Sequence, residues 1–451
     1  MNPLLEDPSV DPSTPETPLP VEEGPFPPEF VWGAATSSHQ VEGDNVHNDW
    51  WRWELADPSR IRGGRVSGRA AGWWAHGGAE RDLALAARLG HRAHRLGLAW
   101  SRLEPERNRR DPRAVDRYRE ILGHARDLGL RTFVTLNHFT LPTWVADGGG
   151  WLSEETVEAF GRHCGRTVDE LGDLVDGFFT INEPSVLALK AYVHGMWPPG
   201  RRQPRLGARA LRLQLLGHAA AYRAIKRRSP DHPAGPALNL PDLEPARLRD
   251  ARDRTMTRLQ DWTVNGALLR ALRTGWCHPP LGLRPRRHPE LVDSFDFVGV
   301  NFYGRYRVHL ALEPGRMFPR FVQENSIRTE GTDWGEPSPE GLVRSLRRAA
   351  ELGKPVYVSE NGIFTHDDEV RRRYLRDHVQ ALAEAYRQGL DLRGYFFWSL
   401  VDNFEWAQGW TTPFGLVAMD PDTQTRTVRP SARLYAEIVR RGGLPPEPAF
   451  G

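Results

Sequence analysis

The chain has 451 residues, 39 % of them hydrophobic, and 60 basic side chains against 58 acidic ones give a net charge of +2. Basic and acidic residues interleave along the chain, so no nucleic-acid or membrane-surface partner is expected, and no apolar run approaches the ~20 residues of a membrane helix. A mean hydropathy of −0.56 is that of a soluble globular protein, long enough for one large barrel or for two to three ordinary domains.

Met1–Phe26 is rich in Pro, Glu, Asp, Ser and Thr, with no basic or apolar region of a secretory leader; a disordered tail is expected over residues 1–26. Strand-like runs then alternate with helical patterns. Phe30–Thr36 is the first run, followed by His39, Gln40 and Glu42. The second, His91–Trp100, carries Arg95 and ends at Trp100-Ser101-Arg102. Asp111-Pro112 opens a helix with an N-cap and a first-turn proline; Val115, Tyr118, Leu122, Ala125 and Leu128 line one face, and Gly129 stops it. Arg131–Phe139, the third strand, ends in Asn137-His138. Ser153, with Glu154-Glu155 in the first turn, caps a helix that turns Val157, Phe160, Cys164, Val168 and Leu171 inward.

The fourth strand, Gly177–Glu183, ends in Asn182-Glu183-Pro184, and Ala234–Leu240 is the fifth. Phe295–Tyr303 supplies Asn301 and Tyr303, and Pro355–Glu360 runs into Glu360-Asn361-Gly362. Tyr374, Leu375, Val379, Leu382 and Tyr386 form the last clear helical stripe, ended by Gly389. Leu392–Leu400 gives Trp398 and then Asp402-Asn403-Phe404-Glu405-Trp406, and a short tail is expected over 441–451. Several runs are almost continuously apolar, as in strands buried on both faces. Eight strands alternating with helices predict a single (β/α)8 barrel over 27–440, with its site at the C-terminal strand ends. A doubly wound sheet would place a Gly-rich phosphate turn after the first strand; Ser37-Ser38-His39-Gln40 stands there instead.

On such a barrel the polar strand ends meet at one mouth. Carboxylates, amides, an imidazole and indoles around one pocket suit a ligand with many hydroxyls and apolar ring faces, which describes a sugar. Cleaving a glycosidic bond with retention needs two carboxyl groups ~5 Å apart, one attacking the anomeric carbon and one protonating the leaving oxygen. Their surroundings must hold the two pKa values apart. Glu183 and Glu360, each closing a hydrophobic strand, fit these roles by position.

The motifs resemble those of glycoside hydrolase family 1, the β-glucosidase and β-galactosidase family, from Phe30 to about Ile438. Phe30-Val31-Trp32-Gly33-Ala34-Ala35-Thr36-Ser37-Ser38-His39-Gln40-Val41-Glu42-Gly43 is similar to its N-terminal signature. Thr180-Ile181-Asn182-Glu183-Pro184 resembles its acid/base motif and Ser359-Glu360-Asn361-Gly362 its nucleophile motif. The stretch from Trp398 to Trp406 is similar to its sugar-binding loop. The resemblance implies a retaining exo-β-glycosidase acting on terminal β-D-glucosyl residues, with β-galactosides and β-fucosides tolerated. Glu183 would be the proton donor and then the base, and Glu360 the nucleophile. Asn182 would bond the sugar 2-hydroxyl, while Arg95 and Tyr303 hold the nucleophile ionised and oriented. Gln40, His138, Glu405 and Trp406 would grip the glycone, with Trp398 as its stacking platform. The implied partners are small β-glycosides or oligosaccharides, and no metal or organic cofactor is implied.

Two departures stand out. The family's Tyr-Arg-Phe-Ser reads His94-Arg95-Leu96-Gly97 here, and its Arg-Phe-Gly reads Pro413-Phe414-Gly415. The Ser/Lys/Tyr pattern of the phospho-glycosidase branch is absent at Trp410–Phe414, which argues against a phosphorylated substrate. There is no HExxH or other metal spacing, and Gly353-Lys354-Pro355 excludes a phosphate-cradling loop. Cys164 and Cys277 form no CxxC pair, which fits a reducing compartment, so a cytoplasmic location is expected. A transglycosylase would use the same residues, and a non-catalytic sugar-binding barrel would have lost a carboxylate.

Overall fold

The computed structural model describes residues 24–282, 284–310, 320–322 and 334–445. Eight parallel strands close into a barrel: β1 (Val31–Ala35), β2 (Ala93–Gly97), β3 (Arg131–Thr135), β4 (Gly177–Asn182), β5 (Ala234–Asn239), β6 (Val298–Phe302), β7 (Val356–Asn361) and β8 (Leu392–Trp398). Each strand pairs with its neighbours in sequence. β8 returns to β1 in register from Val31 opposite Gly394 to Ala35 opposite Trp398, and this pairing removes the sheet edges. The expected (β/α)8 architecture is the one observed. Among the described residues, no helix is long and apolar enough to cross a membrane.

Side chains alternate along each strand between two buried environments. One set points into the barrel, where Phe133, Phe179, Phe297 and Phe396 interlock through ring contacts. Small residues between them make room: a Cβ on Gly299 would stand 2.6 Å from the Phe179 ring. The other set, including Val134, Phe178, Val300, Val358 and Phe397, faces the surrounding helices. Filled by aromatic rings below, the barrel is a packed core, and only its upper end can admit a ligand.

The helices obey the local signals in most places. Asp111 accepts a bond from the Arg113 N–H, Tyr118, Leu122 and Ala125 are buried, and Gly129 takes φ +76° where the Pro112–Asp127 helix has ended. Asp367 caps the Asp368–Arg387 helix in the same way. Ser153 does not use its hydroxyl as a cap: the Thr156 N–H donates to the Ser153 carbonyl instead, and the favourable charge of Glu154 and Glu155 remains at that end.

The ends of the chain correct the expected boundaries. Gly24 N–H donates to the Arg441 carbonyl at 2.7 Å, Phe26 N–H donates to Gly442, and the Phe26 ring packs edge-on against Trp32. Residues 24–26 and 441–445 therefore belong to the body, because an aromatic ring at 4 % exposure gains by being covered. Residues 1–23 and 446–451 lie outside the described residues.

Candidate active site

Strands β4 and β7 both lose register with a neighbour just before their glutamate. The shift falls between Phe179 and Asn182 against β5, and between Val358 and Glu360 against β6. Such irregularities re-aim side chains at a barrel rim. Glu183 itself has φ +44° and ψ +59°, a left-handed conformation uncommon outside glycine, held by its N–H bond to the Ala237 carbonyl and by the Pro184–Leu187 turn that follows.

One cation organises the site. Arg95, buried on β2, holds its guanidinium 4.6 Å from the centre of the Phe179 ring. Its Nη1 donates to Glu360 Oε1 at 2.6 Å and to the Ser359 carbonyl, Nη2 donates to Asn182 Oδ1 at 2.8 Å, and Nε donates to Thr135. Tyr303 donates its hydroxyl to the other Glu360 oxygen at 2.5 Å. A guanidinium can only donate, so the Asn182 atom facing it is the oxygen. That oxygen also receives Asn301 Nδ2 at 3.1 Å, and the same Nδ2 donates to Glu183 Oε1 at 2.8 Å, while Ser359 Oγ donates to Asn301 Oδ1. Asn239 adds a second donor to Glu183 Oε1 at 3.1 Å. Every amide in the chain from Arg95 to Glu183 thus has its orientation fixed by its neighbour.

Both glutamates are buried, yet their surroundings differ in kind. Burial and the neighbouring Glu360 charge push the Glu183 carboxyl up to about 8, against opposing bonds from two neutral amides. Burial also raises Glu360, but there the Arg95 charge and the Tyr303 and Arg95 hydrogen bonds favour the ionised form. The Tyr303 hydroxyl, raised well above 10 by burial and the carboxylates, stays a donor.

Other strand ends complete the mouth. Gln40 Nε2 donates to Glu405 Oε2 and to Asn403 Oδ1, both at 2.9 Å, while Ser37 donates to Gln40 Oε1. Glu405 is pushed up to about 8 by burial and by the charge of Glu360. Burial and Arg95 hold His138 well below its ordinary value, so the ring is neutral. Its Nε2 faces the Asn182 amide N–H at 3.1 Å and must accept, which leaves the proton on Nδ1, a buried atom with no protein partner. The His138 ring stacks with Trp398 and with Trp406, at interplanar angles of 21° and 14°.

Of the ten residues singled out from the sequence, Arg95 stands in the middle of β2 and the other nine at or beyond the C-terminal strand ends. Trp406 is more embedded than a sugar contact requires, at 4 % exposure among His39, Trp50, Phe139 and Trp197. Asn239, Asn301, Asn403 and Ser359 join the network without having been assigned a part in it. Asn239 had a visible signal: it is a polar residue ending an apolar strand, like the others. Among the described residues no cluster of three or more His, Cys, Asp or Glu is placed to hold a metal. The departures at β2 have local causes. Leu96 packs into the helix-facing core, the His94 ring bonds Thr36 Oγ1 at 2.9 Å, and a Cβ at Gly97 would stand 2.8 Å from the Ser38 nitrogen.

A closed β/α barrel whose mouth joins two buried glutamates through one guanidinium and a run of amides is that of a glycoside hydrolase. The sequence profile described as Glycosyl hydrolase family 1 matches residues 22–444, and the chain belongs to that family. It is 30 % identical over 446 residues to β-glucosidase A of Thermotoga maritima, covering 93 % of this chain and 98 % of that one. It is 28 % identical to the β-galactosidase of Pyrococcus woesei, over 93 % and 98 % of the two chains. A solved β-glycosidase from Pyrococcus horikoshii superposes with a TM-score of 0.85 at 34 % identity, over 95 % of this chain and 97 % of that one.

Proposed function

We propose that this enzyme is a retaining exo-β-glycosidase in which Glu360 attacks the anomeric carbon and Glu183 serves first as acid and then as base. The observation that carries the assignment is the unequal treatment of two buried carboxyls. Glu360 is bonded on one oxygen by a cation and on the other by a phenol, whereas Glu183 meets only amides. The first arrangement favours a carboxylate ready to attack; the second keeps a proton near neutral pH.

In the first step the Glu360 oxygen bonds to the anomeric carbon as the Glu183 proton passes to the leaving oxygen, whose bond to carbon breaks with its electron pair. In the second, the Glu183 carboxylate takes a proton from water as that water displaces Glu360 from the same carbon. Two inversions leave the β-anomer. Asn182 is positioned for the sugar 2-hydroxyl, and Gln40, Glu405 and the free His138 Nδ1–H for the outer hydroxyls, with Trp398 beneath the ring. Such a hydroxyl-gripping pocket suits terminal β-glucosyl residues, and the names of the relatives, a β-glucosidase and a β-galactosidase, support tolerance of β-galactosides. Glu183→Gln and Glu360→Gln should each abolish turnover of an alkyl β-glucoside, and NMR of the native reaction should show β-glucose first. Early α-glucose would refute double displacement.

A further inference from the structure

Glu183 receives both of its protein donors on one oxygen. Asn301 and Asn239, from the ends of adjacent strands, both donate to Oε1, at 2.8 and 3.1 Å. The Asn301 amide cannot turn round, because its Nδ2 also faces the Asn182 oxygen that Arg95 has fixed. The Asn239 atom facing Oε1 is likewise its Nδ2, the one orientation that serves the carboxyl both before and after its proton leaves, since an amide oxygen there would meet a bare carboxylate oxygen.

We propose that Asn239, together with Asn301, fixes which oxygen of Glu183 carries the catalytic proton. Oε1, with two N–H groups aimed at its lone pairs, is the carbonyl-like oxygen of the neutral acid. The proton is confined to Oε2, the oxygen left for the glycosidic bond. When that proton moves to the leaving oxygen, the negative charge on Glu183 is shared with Oε1, where both amides already point, and no donor has to reorient. Asn239 therefore acts through Glu183 and is a positioning residue. This inference rests on the reading of Glu183 as the acid/base.

Asn239→Ala separates the two questions. Removing one donor to the ionised form disfavours that form, so Glu183 holds its proton to higher pH. The basic limb of kcat/KM should move up by about one pH unit, the size of one charge-assisted hydrogen bond. At the wild-type optimum, kcat/KM for an alkyl β-glucoside, whose leaving group needs the proton, should fall about tenfold. The value for 2,4-dinitrophenyl β-glucoside, whose leaving group does not, should fall less than twofold. Coincident basic limbs, or an equal fall on both substrates, would overturn the proposal. Glu183→Gln run alongside keeps the failures distinct: if it still turns over the alkyl glucoside, the acid/base reading itself falls. Should Asn239→Ala fail to fold, Asn239→Ser shortens the side chain out of reach of Oε1 and must give the same two results.

Discussion

Removing the Tyr303 hydroxyl tests whether Glu360 is kept ionised by its neighbours. In Tyr303→Phe the 2.5 Å bond to Glu360 Oε2 is lost, while the Arg95 bond to Oε1 remains. A hydrogen bond to a charged group contributes about 1.5–3 kcal/mol, and at 1.36 kcal/mol per pH unit this raises the Glu360 pKa by about one to two. The direction follows from the chemistry. Tyr303 donates to the carboxylate, so its loss favours the neutral acid, which cannot attack, and the acid limb of kcat/KM moves to higher pH while the basic limb stays. At a pH midway between the two limbs the rate should fall about 10- to 100-fold, because the hydroxyl also steadies the nucleophile. The assay is kcat/KM for 4-nitrophenyl β-glucoside from pH 4 to 9, followed for both proteins. An acid limb that does not move, at whatever rate, would show that Tyr303 does not govern the ionisation of Glu360.

The buried acid also costs stability in a pH-dependent way. Glu183 keeps its proton up to about 8 when folded but only to its ordinary 4.5 when unfolded, so the native state loses stability as pH rises between these values. Glu183→Gln has no proton to lose and can accept both amide bonds on its own oxygen; its unfolding free energy from calorimetry should match the wild type near pH 4.5 and exceed it above pH 8, by at most about 5 kcal/mol. A constant difference across pH would refute the assignment. Gln40→Ala removes the donor to Glu405 and, on the proposed function, a glycone contact, so kcat/KM for β-glucosides should fall about 10- to 100-fold with the positions of both pH limbs nearly unchanged; a fall below twofold would place the glycone elsewhere.

The barrel could be read from the sequence because its eight strands are buried on both faces and announce themselves as apolar runs, and because most of the candidate site residues stand at or beyond the points where such runs stop. Strand ends were harder to place. The second and third strands end at Gly97 and Thr135, earlier than the apolar pattern suggests, since the residues beyond leave the ladder while staying buried; Phe139, at φ +70°, is the clearest case. The small sheet of Asp242–Pro245, Arg305–His309 and Arg320–Val322 has no periodic signal because its strands are short and the first two are only partly covered. Asn239 escaped notice for a different reason. A polar residue ending an apolar strand marks the barrel mouth but not a role, and the partner that gives Asn239 one, Glu183, lies 56 residues earlier. Motifs expose residues that act alone or beside a sequence neighbour, whereas a hydrogen-bond partner across the barrel exists only in three dimensions.

On the proposed mechanism, two side chains of the same type acquire opposite tasks through the direction of hydrogen bonds set by a single guanidinium. Arg95 touches Glu360 directly and favours its charge. Its hydrogen-bonded path to Glu183 runs through Asn182 and Asn301, and its charge, acting there without contact, is outweighed by burial and by the charge of Glu360. A full charge beside Glu183 would ionise it and remove the acid; no donor at all would leave its proton free to occupy either oxygen. Neutral amides meet both requirements, since they favour the carboxylate weakly enough for burial to outweigh them and still mark one oxygen. An aspartate at position 301 or 182 would therefore be more damaging than an alanine. At 301 its carboxylate would face the Asn182 oxygen and Glu183 Oε1 where an N–H now stands, and at 182 it would offset the Arg95 charge that favours ionised Glu360, although Glu360 would keep its Arg95 and Tyr303 bonds in either case.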